Sequence, residues 1–197
     1  MSSTNNGQAQ AASDTVAIGV TGHRFLHRLD ELIPRIDAVL DRVEAQWSGA
    51  ALTVISPLAE GSDRLVVARV LCRDHARLVV PLPLPEALYL QDFQAPGSRQ
   101  EFVDLLTRAN EIVRFPAAAA RPAGYVAAGQ YMLAHCDLLI ALWDGKPARG
   151  AGGTADVVAQ ARQLCLPIAW IYTHHDRLGA AQPPTAPAQG TVIFENF

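Results

Sequence analysis

The chain has 197 residues, of which 50% are hydrophobic and 18% are charged, and its formal net charge is −3. This length suits one well-buried core, and the apolar content excludes an intrinsically disordered protein. The weakly acidic balance, with only 7% aromatic residues, argues against nucleic-acid binding. Proteins of that class carry an excess of Lys and Arg and stack bases on aromatic side chains.

The two ends of the chain differ in composition from its middle. Residues 1–14 are small and polar, without a basic start or an apolar centre, so we expect a disordered leader rather than a signal peptide. Residues 174–197 form a Pro/Ala-rich tail. Its last part, 191–194, is apolar enough to add an edge strand to a sheet or else to remain unpaired.

Composition also predicts where the protein resides. No apolar run approaches the ~20 residues that span a bilayer, so we expect no membrane association. Three cysteines are too few for a disulfide framework, and each lies in an apolar stretch typical of a buried, reduced thiol. These are Cys72, Cys136 and Cys165. Together these features predict a cytoplasmic protein.

Between the ends, residues 15–173 alternate short β-type runs with helical patterns. This order predicts a single α/β domain with three layers, a Rossmann-like open parallel sheet flanked by helices. Strands are predicted at 15–21, 52–56, 77–81, 111–115, 137–143 and 167–172, with amphipathic helices between them. Pro34 interrupts the first helical pattern, which predicts either a later helix start or a bent first turn.

Ligands of open parallel sheets bind beyond the carboxyl ends of the strands. Polar residues and glycines concentrate in the loops that follow the first, second and fifth strands, whereas the opposite connections resemble ordinary turns. We therefore expect these loops to form one ligand site. Its candidate residues are Thr21, Gly22, His23, Arg24, Ser56, Pro57, Glu60, Gly61, Asp63, Trp143, Asp144, Gly152, Gly153, Thr154 and Asp156.

The clearest of these signals is the segment Gly152, Gly153 and Thr154, which directly precedes a helical pattern. Glycines let the backbone approach a ligand closely, and the first amides of a helix favour an anion such as phosphate. Thr154 could donate its hydroxyl to that phosphate. The alternative is a flexible loop whose threonine only caps the helix.

The other loops supply a cation and acids. Arg24 follows a glycine turn and suits forked hydrogen bonds to phosphate or carboxylate, or else it pairs with a neighbouring acid at the surface. His23 could donate a hydrogen bond or cap a helix. Glu60 could accept ribose hydroxyls, or it is an acid placed beside a helix dipole.

Several familiar sites are absent from the sequence. It contains no Gly-x-Gly-x-x-Gly after the first strand and no Gly-x-x-x-x-Gly-Lys-Ser/Thr, which disfavours a standard dinucleotide fold and a P-loop NTPase. Cys72 and His75 fall within one helical turn, but no second pair at metal-ligand spacing joins them, so no metal site is predicted. No Gly-x-Ser-x-Gly elbow supports a hydrolase triad.

Four motifs in this order resemble the SLOG superfamily: Val20-Thr-Gly-His-Arg24, Ser56-Pro-Leu-Ala-Glu-Gly-Ser-Asp63, Cys136-Asp-Leu-Leu-Ile-Ala-Leu-Trp-Asp-Gly145 and Gly152-Gly-Thr-Ala-Asp156. This Rossmann-like group includes the DprA/Smf DNA-processing proteins, the LOG phosphoribohydrolases and nucleotide-sensing modules. The resemblance covers about residues 15–172. It implies a nucleotide or nucleotide-derived ligand in the cleft, and commonly a homodimer.

The chain departs from the LOG branch of this group at three places, one of which is the Pro-Gly start of that branch's glycine loop, replaced here by Trp143-Asp-Gly145 and a longer loop. LOG enzymes cleave the base from a nucleoside monophosphate with a Pro-Gly-Gly-x-Gly-Thr-x-x-Glu loop and an arginine on an upstream helix. When Gly153 and Thr154 are matched to that motif, Val157 takes the place of the glutamate. Asp156 comes one residue early, about 100° around the helix. The predicted helix over 124–135 contains no arginine.

We therefore expect a domain that binds or senses a nucleotide, or an NAD- or ADP-ribose-like derivative, and that requires no cofactor. In this interpretation the glycine loop before Thr154 holds phosphate, Arg24 braces it, and Glu60 or Asp63 contacts the ribose. The alternative is an N-glycosidic hydrolase of the LOG type in which Asp156 or Glu60 replaces the missing glutamate. A third interpretation is an assembly domain that has lost its ligand.

Overall fold

The structure is a computed structural model that describes residues 15–116, 121–147, 152–174 and 186–197. The leader predicted over residues 1–14 lies outside the described residues. So do residues 175–185 of the predicted tail.

The described residues form one seven-stranded sheet in the order β4-β3-β2-β1-β5-β6-β7. Neighbouring strands are parallel except at one edge, where β7 runs antiparallel to β6. The strands are β1 Thr15–Gly22, β2 Ala51–Ile55, β3 Arg77–Leu82, β4 Glu111–Arg114, β5 Leu138–Trp143, β6 Ile168–Tyr172 and β7 Val192–Glu195. With helices on both faces, this sheet confirms the predicted Rossmann-like α/β fold.

Helices connect successive parallel strands. They are α1 Leu29–Gln46, α2 Ser62–Val70, α3 Glu86–Tyr89, α4 Ser98–Thr107, α5 Arg121–His135 and α6 Thr154–Gln163, and a 3-10 turn at Leu90–Asp92 follows α3. The four-residue α3 was not predicted, because it is too short to show helical periodicity. None of the described helices is long and apolar enough to cross a membrane.

The first helix shows how a proline is accommodated. A later start of α1 was one of the two outcomes predicted from Pro34, but the helix begins at Leu29 and continues through the proline. The side of α1 that carries Pro34 is exposed, whereas Leu32 and Ile36 are fully buried. Strong burial of the apolar face therefore maintains the helix despite the hydrogen bond that proline removes.

The two faces of the sheet carry separate helix layers. α1 and α2 cover one face, where Ile18 and Leu142 are buried, and α5 and α6 cover the other, where Leu139 is buried. All six residues of β5 are buried, as expected for a central parallel strand. A Cβ at Gly19 would lie 2.9 Å from Cys136 Sγ, so this glycine allows α5 to approach the sheet closely.

Two of the three cysteines are not buried, contrary to the sequence prediction. Cys136 is buried beneath α5, but Cys72 and Cys165 are exposed. Both exposed thiols lie in the turns that follow α2 and α6. Leu71 and Leu166 beside them are partly buried, but Leu164 is 59% exposed, so the apolar stretch around Cys165 does not make its turn part of the core.

The end of the described chain joins the sheet. β7 pairs with β6, so the edge strand is the alternative that is found for residues 191–194. The Arg162 guanidinium on α6 donates two hydrogen bonds to the Glu195 carboxylate, at 2.7 and 2.8 Å. This pair holds the Glu195 pKa below its usual value through the hydrogen bonds, although partial burial opposes them.

The strand order creates one switch point. From β1 the chain proceeds outward through β2, β3 and β4, whereas from β5 it proceeds outward on the other side through β6. The loops after β1 and β5 therefore diverge, and a crevice opens between them at the carboxyl edge of the sheet.

Candidate functional site

A cavity of about 490 Å³ lies at this switch point. Its walls come from the carboxyl ends of β1 and β5, the loop after β2, and the helices α3, α5 and α6. Ligand cavities in proteins commonly range from about 300 to 1,000 Å³, so the space suits a small organic molecule.

Most of the sequence-predicted site residues line this cavity. They are Thr21, Gly22, His23, Arg24, Pro57, Asp63, Trp143, Asp144, Gly152, Gly153 and Thr154. The loops after β1, β2 and β5 therefore converge on one cavity together with the start of α6.

Three of the predicted residues do not line this cavity. Ser56 is fully buried beneath the cavity, where its hydroxyl donates to Asp63 Oδ2 at 2.9 Å. Glu60 and Gly61 line a neighbouring depression of about 340 Å³ that shares Arg24 with the main cavity. The Glu60 carboxylate accepts the backbone N–H groups of Gln94 and Ala95 at 3.2 and 3.3 Å.

Asp156 is also absent from the cavity lining. Its Oδ2 accepts the backbone N–H of Gly152 at 3.1 Å, which folds the glycine loop over the first turn of α6. Both catalytic candidates named from the sequence, Glu60 and Asp156, thus have carboxylates that are engaged by loop amides. Neither carboxylate faces the main cavity.

Close packing fixes the backbone that carries Arg24. Ser62 donates to the carbonyl oxygen of His23 from both its backbone N–H and its hydroxyl, at 3.0 and 2.8 Å. At Gly61, with φ +80°, a Cβ would lie 2.2 Å from the carbonyl oxygen of Arg24. The loop after β2 therefore presses directly on the loop after β1. Only glycine allows this approach.

A buried carboxylate connects the ends of β1 and β5. Asp144 Oδ1 lies 3.2 Å from His23 Nε2 and accepts the backbone N–H of Lys146 at 3.1 Å. Burial opposes its ionisation, but that hydrogen bond, His23 and the Lys146 ammonium outweigh it, so the Asp144 pKa lies below its usual value. Asp144 Oδ2 has no hydrogen-bond partner among the described residues, although Lys146 Nζ lies 3.3 Å away.

Asp63 is the other acid on the cavity wall, and its environment is different. It is 4% exposed, and its Oδ2 accepts the Ser56 hydroxyl and the Ala59 N–H at 2.9 and 3.3 Å. Desolvation raises the pKa of Asp63 to about 7, and these hydrogen bonds with the charges of Arg24 and Arg64 limit the rise. One cavity therefore holds an ionised acid and an acid that titrates near neutrality.

Two tyrosines form a wall that the sequence did not predict. Tyr89 on α3 is fully buried, and its hydroxyl has no partner among the described residues. Its ring packs against Tyr125 of α5, with 6.2 Å between centroids. The Tyr125 hydroxyl donates to Asp92, and burial raises the pKa of both phenols.

Lys146 is the only lysine in the sequence, and it lines the cavity. The position of this one lysine, two residues after Asp144, is a signal that the sequence interpretation overlooked. A second overlooked signal is a helical spacing on α5, because the four residues that share it all line the cavity. They are Tyr125, Ala128, Gly129 and Met132.

No protein-family profile matches the chain, and no curated protein is significantly similar to it. In the described part of the chain, no three His, Cys, Asp or Glu side chains lie together as metal ligands would. The case for a function therefore depends on the geometry of the cavity itself.

Proposed function

We propose that the protein binds a nucleotide, or a nucleotide derivative of the NAD or ADP-ribose kind, in this cavity. The observation that carries the proposal is a buried polar atom on its wall, the Tyr89 hydroxyl, which has no hydrogen-bond partner among the described residues. A buried polar group without a partner costs about 1–3 kcal/mol. A ligand with an acceptor group would satisfy this hydroxyl.

The phosphate would bind between Arg24 and the start of α6. Gly153 precedes this ten-residue helix, and the N–H groups of Thr154 and Ala155 come before its first intrahelical bonds. The helix dipole favours an anion at this end. Arg24 forms no ion pair with a carboxylate in the described part of the chain. Its guanidinium forms a hydrogen bond with the Tyr125 hydroxyl, so the phosphate would share it with that phenol.

The rest of the cavity suits the base and the sugar. Ala128 and Gly129 on α5 leave space beside the apolar side chains of Val20, Met132 and Val157, where a flat ring would be desolvated. Carboxylates accept hydrogen bonds from ribose hydroxyls in other doubly wound folds. Asp63 and Asp144 are the acids on the wall that offer this contact.

Calorimetric titration with AMP, ADP, ADP-ribose and NAD tests the proposal. We expect at least one to bind, and Arg24→Gln to weaken that binding by about 10- to 100-fold, the value of a hydrogen bond to a charged group. Arg99→Gln is the matched control, because Arg99 is exposed on α4 and does not line the cavity. Absence of binding to all four compounds at millimolar concentration would refute the proposal.

Native mass spectrometry of freshly purified protein complements the titration. It detects a ligand that co-purifies, and the same spectrum gives the number of subunits. A homodimer is the state that we propose together with the nucleotide ligand.

One observation favours a second candidate function, N-glycosidic hydrolysis of a nucleotide. Asp63 lines the cavity and has a pKa of about 7, which suits a general acid or base. In this alternative Asp63 takes the role that the sequence analysis assigned to Glu60 or Asp156. Incubation with nucleoside monophosphates and NAD should release free base, and Asp63→Asn should abolish the release. No free base from any of these substrates excludes this function without affecting the binding proposal.

A further inference from the structure

Asp63 lines the cavity, and hydrogen bonds from the protein are made to one of its two carboxyl oxygens. Oδ2 accepts both the Ser56 hydroxyl and the Ala59 N–H. Oδ1 forms no hydrogen bond with any described residue. The side chain is therefore fixed in position by its own loop, and its second oxygen is left for a ligand.

The charged and titratable groups around this carboxyl come from three elements. Arg24 approaches from the loop after β1, Arg64 belongs to α2 itself, and Tyr89 approaches from α3. Arg64 does not line the cavity: its Nε and Nη1 donate to Leu58, Ser98 and Glu101, and its Nη2 is buried without a partner among the described residues. Arg24 is therefore the cation near Asp63 that an incoming anion can recruit.

An anion bound at Arg24 would alter the balance at Asp63. The anion would share the guanidinium that now stabilises the carboxylate, and it would place a second negative charge in a partly desolvated cavity. A like charge nearby disfavours ionisation of a carboxyl group. Because burial already holds the carboxyl near the point of protonation, a repulsion that raises its pKa well above the pH of the experiment keeps it protonated in the complex.

We propose that Asp63 binds the anionic group of the ligand as a protonated carboxylic acid, so that each bound anion brings about one proton into the site. The proton comes from the solvent and adds to the carboxylate, and the resulting O–H donates to an oxygen of the anion that Arg24 pairs. No covalent bond to the ligand forms or breaks. This inference rests on the proposed nucleotide binding and identifies the group that makes the binding depend on pH.

The test is calorimetric titration with AMP in two buffers that differ in ionisation enthalpy, at pH values between about 7.5 and 9. In this window a phosphate monoester, with a second pKa near 6, is fully ionised and an ordinary imidazole is neutral. We expect uptake of close to one proton at pH 8. The dissociation constant should rise about tenfold per pH unit, the linkage of one bound proton.

The variant Asp63→Asn tests whether Asp63 is the group that takes up the proton when AMP binds. Its amide oxygen can still accept from Ser56 and Ala59, and its NH₂ group donates like the protonated acid, so we expect AMP to bind without proton uptake and without pH dependence in this window. Asp137→Asn is the control, because Asp137 accepts the Ala17 N–H at the opposite edge of the sheet. This variant should retain the proton uptake of the native protein.

The outcomes separate the two proposals. AMP binding without proton uptake, or uptake that persists in Asp63→Asn, overturns the role of Asp63 and leaves nucleotide binding intact. No binding of AMP, ADP, ADP-ribose or NAD at any of these pH values overturns both. The buffer comparison requires only the native protein, so an absence of proton uptake there overturns the role of Asp63 even if Asp63→Asn fails to fold.

Discussion

His23 Nε2 lies 3.2 Å from Asp144 Oδ1 and 3.1 Å from the backbone nitrogen of Asp144. The imidazole thus joins the carboxyl ends of β1 and β5 at the point where the strand order diverges. A second bond between these ends runs from the His23 N–H to the carbonyl oxygen of Leu142, at 3.0 Å. The floor of the cavity is therefore preorganised by the protein's own polar groups, which lowers the entropic cost of binding.

Replacement of Asp144 by Asn should show how much the contacts of its carboxylate stabilise the folded protein. The lowered pKa of Asp144 means that its contribution is present above the unfolded pKa of about 4 and is lost as the pH falls through the lower folded value. We expect Asp144→Asn to be about 1–3 kcal/mol less stable than the native protein at pH 7, since a buried interaction of a charged group is lost.

Urea unfolding at a series of pH values measures this loss. The difference from the native protein should shrink below about pH 4. Asp104→Asn is the control, because Asp104 is an exposed acid on α4 and its replacement should change stability little. Equal stability of native and Asp144→Asn protein at pH 7 would show that the carboxylate does not stabilise the fold.

The contribution of Asp63 to folding stability should depend on pH in the opposite direction from that of Asp144. Its pKa of about 7 exceeds the unfolded value of about 4, so the folded protein binds the extra proton between these values. Stability is therefore lost as the pH rises from about 4 to about 7. At pH 8 we expect Asp63→Asn to be more stable than the native protein, by at most about 4 kcal/mol at 1.36 kcal/mol per unit of pKa.

Thermal unfolding of both proteins from pH 5 to pH 8 measures the difference. The two midpoints should converge toward the acid end, where the native carboxyl is protonated and resembles the amide. A constant difference across this range would mean that Asp63 does not titrate there.

The main features of the fold were predictable because they depend on local pattern. Runs of buried β-branched residues mark the parallel strands, and the rule that ligands bind at the carboxyl ends of such strands placed Arg24 and Gly153 on one cavity. Pro34 was misleading, since tertiary burial of α1 outweighs one missing hydrogen bond. A prediction from local sequence fails where tertiary packing contributes more free energy than the local effect costs.

The direction of single side chains was not predictable in the same way. The Glu60 carboxylate turns away from the cavity because amides more than thirty residues later, at Gln94 and Ala95, approach it. Tyr89 reaches the cavity only because α3, which follows a proline-rich segment, folds back toward α5. The orientation of Glu60 and the position of Tyr89 both depend on contacts between residues that are far apart in the sequence. A single amino-acid sequence does not reveal such contacts.

Lys146 offers a direct probe of cavity occupancy. Because it is the only lysine in the chain, an amine-reactive ester modifies a single lysine side chain, and peptide mass spectrometry measures the rate. We expect AMP at saturating concentration to slow this modification severalfold, since the Lys146 side chain is 57% exposed and lines the cavity. An added lysine peptide serves as internal standard. An unchanged rate with bound AMP would place the ligand away from Lys146.

Gly61→Ala tests whether close packing at Gly61 positions the loop that holds Arg24. Gly61 and Gly49 both have positive φ, +80° and +86°, so a side chain is strained at either position, and Gly61 with ψ −115° also lies outside the left-handed helical region. Only at Gly61 would the added Cβ collide with backbone, at 2.2 Å from the Arg24 carbonyl oxygen, whereas no atom lies within 4 Å at Gly49.

We therefore expect Gly61→Ala to lose more stability than Gly49→Ala in urea unfolding and to bind AMP more weakly, because the displaced loop moves Arg24 away from the start of α6. Gly49→Ala should bind AMP like the native protein. A misplacement of about 1 Å is enough to lose most of the benefit of an oriented charged group. If the two variants are equally stable and bind AMP equally well, contact between the loops after β1 and β2 does not position Arg24.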